Sequence, residues 1–333
     1  MRGTGQSLTP RDKFIMALEG KQPPGLVPTF ELVFYLTMEL LRKVHPTHRV
    51  LSQWDQMSAA EKRLQVADAG DVYIATARRY QHSAIFVHGV AGMPQSEERI
   101  AEYIREQTGD EFFLCRHGDA TMAIPDGEQM VQLSYRLADE PEKVKAEQAE
   151  AVERALEASA ATAGRGLFDG FALCSDYCFN RGPFLSPSQF AEFVTPFLAR
   201  LIQGYREQGY YVIKHTDGNI MPIIDQLVAC RPHALHSLDP QAGVDIAEVK
   251  RRYGRKVCLI GNVNCGLLQT GTDEQVIESA RYALRHGMPG GGFIFSTSNC
   301  VYTGMALERY ELMLDVWRRE GIYPESGSAT GEV

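Results

Sequence analysis

The stretch VIKHTDGNI, residues 212–220, follows an apolar run and sets Lys214, His215 and Asp217 side by side, with Gly218 and Asn219 next. An imidazole and a carboxylate two residues apart, at the point where a strand gives way to a loop, can bind a metal or move a proton. The same letters also fit an Asx-type turn that caps the following helix. Other residues of comparable chemistry stand at the ends of apolar runs. They are Glu31, His88, Asp176, His236 with Asp239, Asn262, Asn264 and Cys265 in GNVNCG, and Ser298, Asn299 and Cys300.

Each has a plainer role available. Asp176 could cap a turn or pair with Arg181, and Asn262 and Asn264 could hold loops. His88 and His236 lie in apolar runs, where a histidine commonly serves the core. Glu31, if buried, would have its pKa raised and could act as a proton donor or ligand. Cys265 stands where a helix should start, so the helix dipole would favour its thiolate.

Groups so far apart in sequence meet only if the elements between them bring one set of strand ends together. Strand-like runs recur at 27–33, 83–89, 167–175, 210–215, 234–238, 256–262 and 291–297. Helical patterns fall between them, clearest at 140–163, 187–209, 243–254, 273–287 and 305–321, several ending in glycine. Thr9 and Pro10 are placed to cap and begin an N-terminal helix. Alternating strands and helices imply a parallel sheet, and from residue 164 onward their density predicts closure into a (β/α)8 barrel. Function would then sit on the loops at the C-terminal strand ends. Residues 108–137, with two apolar runs around PDG, read as a hairpin or an elaborated loop. Residues 1–324 are taken as one domain, and the polar tail 325–333 as disordered.

The 333 residues are 44% hydrophobic and carry a net charge of −8. That length supports a large core, and the charge argues against a nucleic-acid surface. No run of about 18 apolar residues suggests a membrane span, and the N-terminus lacks a signal-like apolar centre, so a cytoplasmic protein is expected. Seven scattered cysteines read as reduced packing residues. The glycine-rich MPGGGFIF lacks the Lys-Ser/Thr of a phosphate loop, and no nucleotide cofactor is expected.

The run from GYYVIKHTDGNI through LIGNVNCGLL to GGFIFSTSN, with SDYCFNRGPF and RDKFIMALEGKQPPGLVPTFE upstream, resembles the uroporphyrinogen decarboxylase superfamily. The resemblance implies a (β/α)8 barrel and one of two activities. One branch decarboxylates porphyrinogen acetates without a cofactor, its substrate carboxylates held by an arginine-rich MRQAGRY motif. Here that place reads PTFELVFYLTMELL, with Glu31 and no arginine before Arg42, electrostatically wrong for a polycarboxylate.

The other branch comprises zinc-dependent methyltransferases that exchange a methyl group with the cobalt of a corrinoid protein, and is similar in a His-x-Cys motif with a later Cys. This chain matches the His at His215, has Asp217 in place of the Cys, and has Cys300 displaced near the late position. The resemblance therefore implies transfer of a methyl group from a small O- or N-methylated donor to a corrinoid protein. His215, Asp217, Glu31 and Asp176 would be the catalytic groups, and His215, Asp217, Cys265 and Cys300 the candidate ligands for zinc. Asn262, Asn264, Ser298, Asn299 and His236 would contact substrate. A His/Asp site would suit a metal acting as a Lewis acid on oxygen or nitrogen. A cofactor-free decarboxylase using Asp176 and His215, a non-catalytic small-molecule-binding barrel, and assembly as a homo-oligomer remain alternatives.

Overall fold

The computed structural model describes residues 8–324; the tail expected to be disordered lies outside the described residues. The N-terminal helix Pro10–Leu18 forms where expected, with Thr9 and Asp12 completing a reciprocal cap and Pro10 in the first turn. Nine strands follow in chain order. They are β1 (Ala84–Phe86), β2 (Phe113–His117), β3 (Gly170–Leu173), β4 (Cys178–Phe179), β5 (Gly182–Pro183), β6 (Tyr211–His215), β7 (Ala234–His236), β8 (Cys258–Val263) and β9 (Phe293–Thr297).

Seven of them form one parallel sheet in the order β1-β2-β3-β6-β7-β8-β9, while β4 and β5 make a small antiparallel hairpin on the loop after β3. The sheet is curled. Residues 28–31 sit between its two edges: Thr29 O accepts from Ser83 N at 2.7 Å, and Phe30 N donates to Phe295 O at 3.2 Å. Thr29 and Phe295 form one isolated parallel bridge, so the run 27–33 is not a regular strand. The supported architecture is an α/β fold with a curled seven-stranded parallel sheet.

The alternation of side chains along each strand sorts the core into two layers. Phe86, Phe113, Cys115, Ala172, Ile213, Ala234, Ile260 and Ile294 fill the concave interior, and Phe14, Ala17 and Leu18 of the first helix plug one end. Phe14 packs edge-on to Phe30 at 5.7 Å and against Phe113 at 4.8 Å. The intervening residues, such as Leu173, Val212, Leu235 and Leu259, face outward into a larger core shared with the helices.

Two expectations need correction. Residues 108–137 hold no hairpin: 113–117 is an interior parallel strand, and Glu128–Asp139 is a helix. The PDG turn signal marks only the end of an irregular segment. The helix expected at 187–209 is two helices, Pro187–Phe193 and Thr195–Glu207. Pro196 has no N–H to give Glu192 O and its ring crowds that carbonyl, so the helix breaks at Val194 and Pro196 sits in the first turn of the second helix.

Candidate active site at the C-terminal strand ends

One alternation step beyond the apolar interior, the same inward-facing rows turn polar. Ile213 is followed by His215, Ala234 by His236, Ile260 by Asn262 and Ile294 by Ser296, all four polar residues buried. Register pairs His215 with His236 across β6 and β7. Their Nδ1 atoms lie 2.7 Å apart, and the rings are 4.9 Å between centroids. Burial, then the Lys214 charge, lowers the His215 pKa to about 3. Burial followed by repulsion from His215 holds His236 well below the usual imidazole value. Both rings are therefore neutral at physiological pH.

Asp217 is not a turn-capping residue. Its Oδ1 accepts from Ser237 Oγ at 2.8 Å, its Oδ2 accepts from Asn299 Nδ2, and Asn219 makes the local turn bond, Oδ1 accepting from Met221 N at 3.1 Å. Asp217 Oδ1 faces His215 Nε2 at 3.7 Å. Asp176 accepts from the Asp217 backbone N–H at 2.9 Å, and among the described residues it makes no ion pair with Arg181. Burial first, and the nearby Asp176 charge second, raise the Asp217 pKa to about 7. Asp239, whose Oδ1 accepts from Gln241 N at 2.9 Å, adds to the same negative field.

Gly218 makes this loop possible. With φ at +79°, it lies against the β4–β5 hairpin, and a Cβ there would stand 2.5 Å from Cys178 O and 2.7 Å from Phe179 O. The hairpin thus presses the Asp176 segment onto the His215–Asp217 loop.

Asp176, His215 and Asp217 offer one donor atom each within 4.8 Å of one another. Among the described residues no other group of His, Cys, Asp and Glu meets that criterion. Cys265 and Cys300 stand outside it. Burial raises both thiol pKa values, that of Cys300 to about 12, so the helix start at Cys265 leaves its thiol protonated. Cys265 Sγ instead accepts from Gln241 Nε2 at 3.6 Å.

The remaining groups have structural bonds. Asn262 Nδ2 donates to Leu238 O at 2.8 Å. Asn264 caps the helix Cys265–Thr270, accepting from Gly266 N at 3.0 Å. Ser298 Oγ accepts from Cys265 N at 3.3 Å. Asn299 bonds Asp217 with its amide nitrogen and Cys300 N, at 2.6 Å, with its oxygen. Glu31 is deeper than the donor group. Thr297 Oγ1 lies 2.5 Å from Glu31 Oε2 and Ser296 Oγ lies 3.3 Å from it, and burial raises the Glu31 pKa to about 8.

The sequence reading omitted one buried pair. Lys214 Nζ donates to Asp119 Oδ2 at 2.8 Å with side-chain exposures of 0% and 1%. It also donates to Ser175 O at 2.9 Å and Leu173 O at 3.2 Å. It faces outward beside Val212 and ties the loops after β2 and β3 to β6, next to Asp176. The available signal was a lysine inside an apolar strand run, which requires a partner.

A profile of the family described as uroporphyrinogen decarboxylase (URO-D) matches residues 145–320. A search of curated proteins finds no match. Among solved structures, a methyltransferase from Methanosarcina mazei is similar over 94% of this chain and 99% of its own, at 16% identity and a TM-score of 0.68. A protein from Listeria monocytogenes described as a vitamin-B12-independent methionine synthase is similar over 88% and 96%, at 13% identity and a TM-score of 0.48. The profile spans more than half of the chain and includes β6 to β9, which hold His215, His236 and Ser296, together with the Asp217 loop. The chain belongs to the uroporphyrinogen decarboxylase family.

Proposed function

We propose that the protein is a methyltransferase that takes a methyl group from a small O- or N-methylated compound and delivers it to the corrinoid of a partner protein. One observation supports this reading above the others: the convergence of Asp176, His215 and Asp217 at the C-terminal strand ends. The site belongs, in this reading, to a (β/α)8 barrel whose eighth position is residues 28–31.

The donor set fits a divalent ion such as zinc: one neutral imidazole, and two carboxylates whose mutual repulsion a cation would relieve. Such an ion, when bound, supplies Lewis acidity toward the oxygen or nitrogen that loses the methyl group. The chain's own residues do the rest. Ser237 and Asn299 fix both oxygens of Asp217, and the His236 ring fixes His215. Where no ion is bound, the Asp217 carboxyl, with a pKa of about 7, is instead the group able to protonate a departing heteroatom at neutral pH. Replacing the thiolate of a His-x-Cys site by Asp217 favours harder substrates over thiols. The decarboxylase alternative needs a cation available to substrate carboxylates, and Lys214, beside His215 in sequence, is committed to Asp119.

A cytoplasmic setting is part of the same proposal; among the described residues no helix is long and apolar enough to cross a membrane. The test is spectroscopic. Reduced cobalamin, or a competent corrinoid protein, is mixed with the enzyme and a series of methoxy and methylamino compounds. Formation of the methylcobalamin spectrum from at least one donor, lost in His215→Ala, is expected. No change with any donor contradicts the reading.

A further inference from the structure

The two facing nitrogens of His215 and His236 cannot both carry hydrogen. At 2.7 Å between Nδ1 atoms, one ring donates and the other accepts, and this leaves two arrangements of the pair. In the first, His215 donates from Nδ1 and its Nε2, 3.7 Å from Asp217 Oδ1, is a bare lone pair. In the second, His236 donates, and His215 points an N–H at the carboxylates. Only the first leaves His215 a ligand at the mouth.

The choice is made at the far end of the chain of contacts. His236 Nε2 lies 3.4 Å from Ser296 Oγ, and Ser296 Oγ lies 3.3 Å from Glu31 Oε2. If Glu31 is ionised, Oε2 is an acceptor and Ser296 donates to it. If Glu31 is protonated, its hydrogen has acceptors other than Ser296: Thr297 Oγ1 at 2.5 Å, which can donate onward to Asn299 O at 2.8 Å, and the Tyr310 hydroxyl. Oε2 then still accepts from Ser296. In both states Ser296 spends its one hydrogen on Glu31 and presents a lone pair to His236. His236 must then carry its hydrogen on Nε2, and its Nδ1 accepts from His215.

We propose that Glu31, Ser296 and His236 form a buried lock on the tautomer of His215, holding its hydrogen on Nδ1 and its Nε2 bare toward Asp217 and Asp176. Ser296 and His236 are positioning residues: they act through His215 and reach neither substrate nor ion. The lock is a device of three side chains from residue 31, β7 and β9, and each is buried. Its purpose rests on the metal-centre reading above, whereas its existence does not.

The experiment uses the full chain, freed of metal and labelled with ¹⁵N-histidine, and reads the His215 tautomer from long-range ¹H–¹⁵N correlations, with assignment by His215→Gln. The wild type is expected to show the Nδ1–H form. Ser296→Ala is expected to give a mixture at His215 and to weaken zinc binding by about ten-fold, the usual effect of losing a partner behind a ligating histidine. Ser296→Thr, which keeps the hydroxyl, is expected to restore the single form. An Nε2–H form in the wild type, or an unchanged tautomer in Ser296→Ala, overturns the lock. A wild type in the Nδ1–H form that binds no zinc upholds the lock and contradicts the metal-centre reading, so the two failures are distinct.

Discussion

Lys214 and Asp119, 95 residues apart, meet at 2.8 Å with neither side chain open to solvent. Asp119 is itself held by Thr121 Oγ1 at 2.6 Å and by Ser175 N at 2.9 Å. Burial alone would raise its pKa; the adjacent Lys214 charge and hydrogen bonds bring it down to about 2. Such a pair gives little net stability against an apolar replacement, but losing one partner strands the other charge. Lys214→Met alone should therefore destabilise the fold by about 3–5 kcal/mol, and Lys214→Met with Asp119→Leu should recover much of that loss. Denaturant unfolding of the two single variants and the double variant checks it. Equal losses in single and double variants would contradict it.

The loop after β6 depends on Gly218. An added methyl would require both a left-handed backbone and a displacement of the β4–β5 hairpin. Gly218→Ala should cost at least ~1–2 kcal/mol from the backbone alone, and should weaken metal binding by separating Asp176 from Asp217. Calorimetric titration beside thermal unfolding reads both. A variant with full stability and affinity contradicts the packing described.

Glu31 gives a stability signature with a definite sign. Its pKa is raised from 4.5 to about 8 by burial, so the folded state keeps a proton that the unfolded chain gives up. Stability from this group is complete below pH 4.5 and is lost as pH rises through about 8. The buried histidines act oppositely and below their ordinary value, as His215 shows. Comparison of wild type with Glu31→Gln isolates the carboxyl: the variant should gain on the wild type by a few kcal/mol between about pH 5 and pH 8. A difference that does not vary with pH would contradict a protonated Glu31.

In the proposed metal centre, Asp217 would set the hardness of the donor group. Asp217→Cys restores the thiolate spacing of His-x-Cys and should raise the ratio of zinc to manganese affinity above that of the wild type. Competition titrations measure the ratio, and a fall in it would count against Asp217 as a ligand.

Most of the framework was legible because the chain punctuates itself. Apolar runs such as 256–262 end at glycine or asparagine, and intervening helices carry their own caps, as at Thr9 and Pro10. Strand β2 was hidden because FFLCRH leads into a long irregular segment closed by PDG, which imitates a hairpin turn. His215, Asp217 and Asp176 were legible as polar residues one step past apolar strand interiors. Asp119, Ser237 and Ser296 were not, since each matters through a partner on another strand or loop, and no local spacing reports such a pairing. Cys265 was suggested by its place at a helix start and Cys300 by its nearness to the late position of the family motif, but neither joins the donor group of Asp176, His215 and Asp217.

Whether Asp176, His215 and Asp217 hold an ion is decided by calorimetric titration of zinc into metal-free protein, with the wild type run beside His215→Ala and Asp176→Asn. One saturable site is expected in the wild type, with loss of that site in His215→Ala and weaker binding in Asp176→Asn. A wild type that takes up no zinc, or a His215→Ala variant that binds it equally well, would rule out a metal centre at these residues.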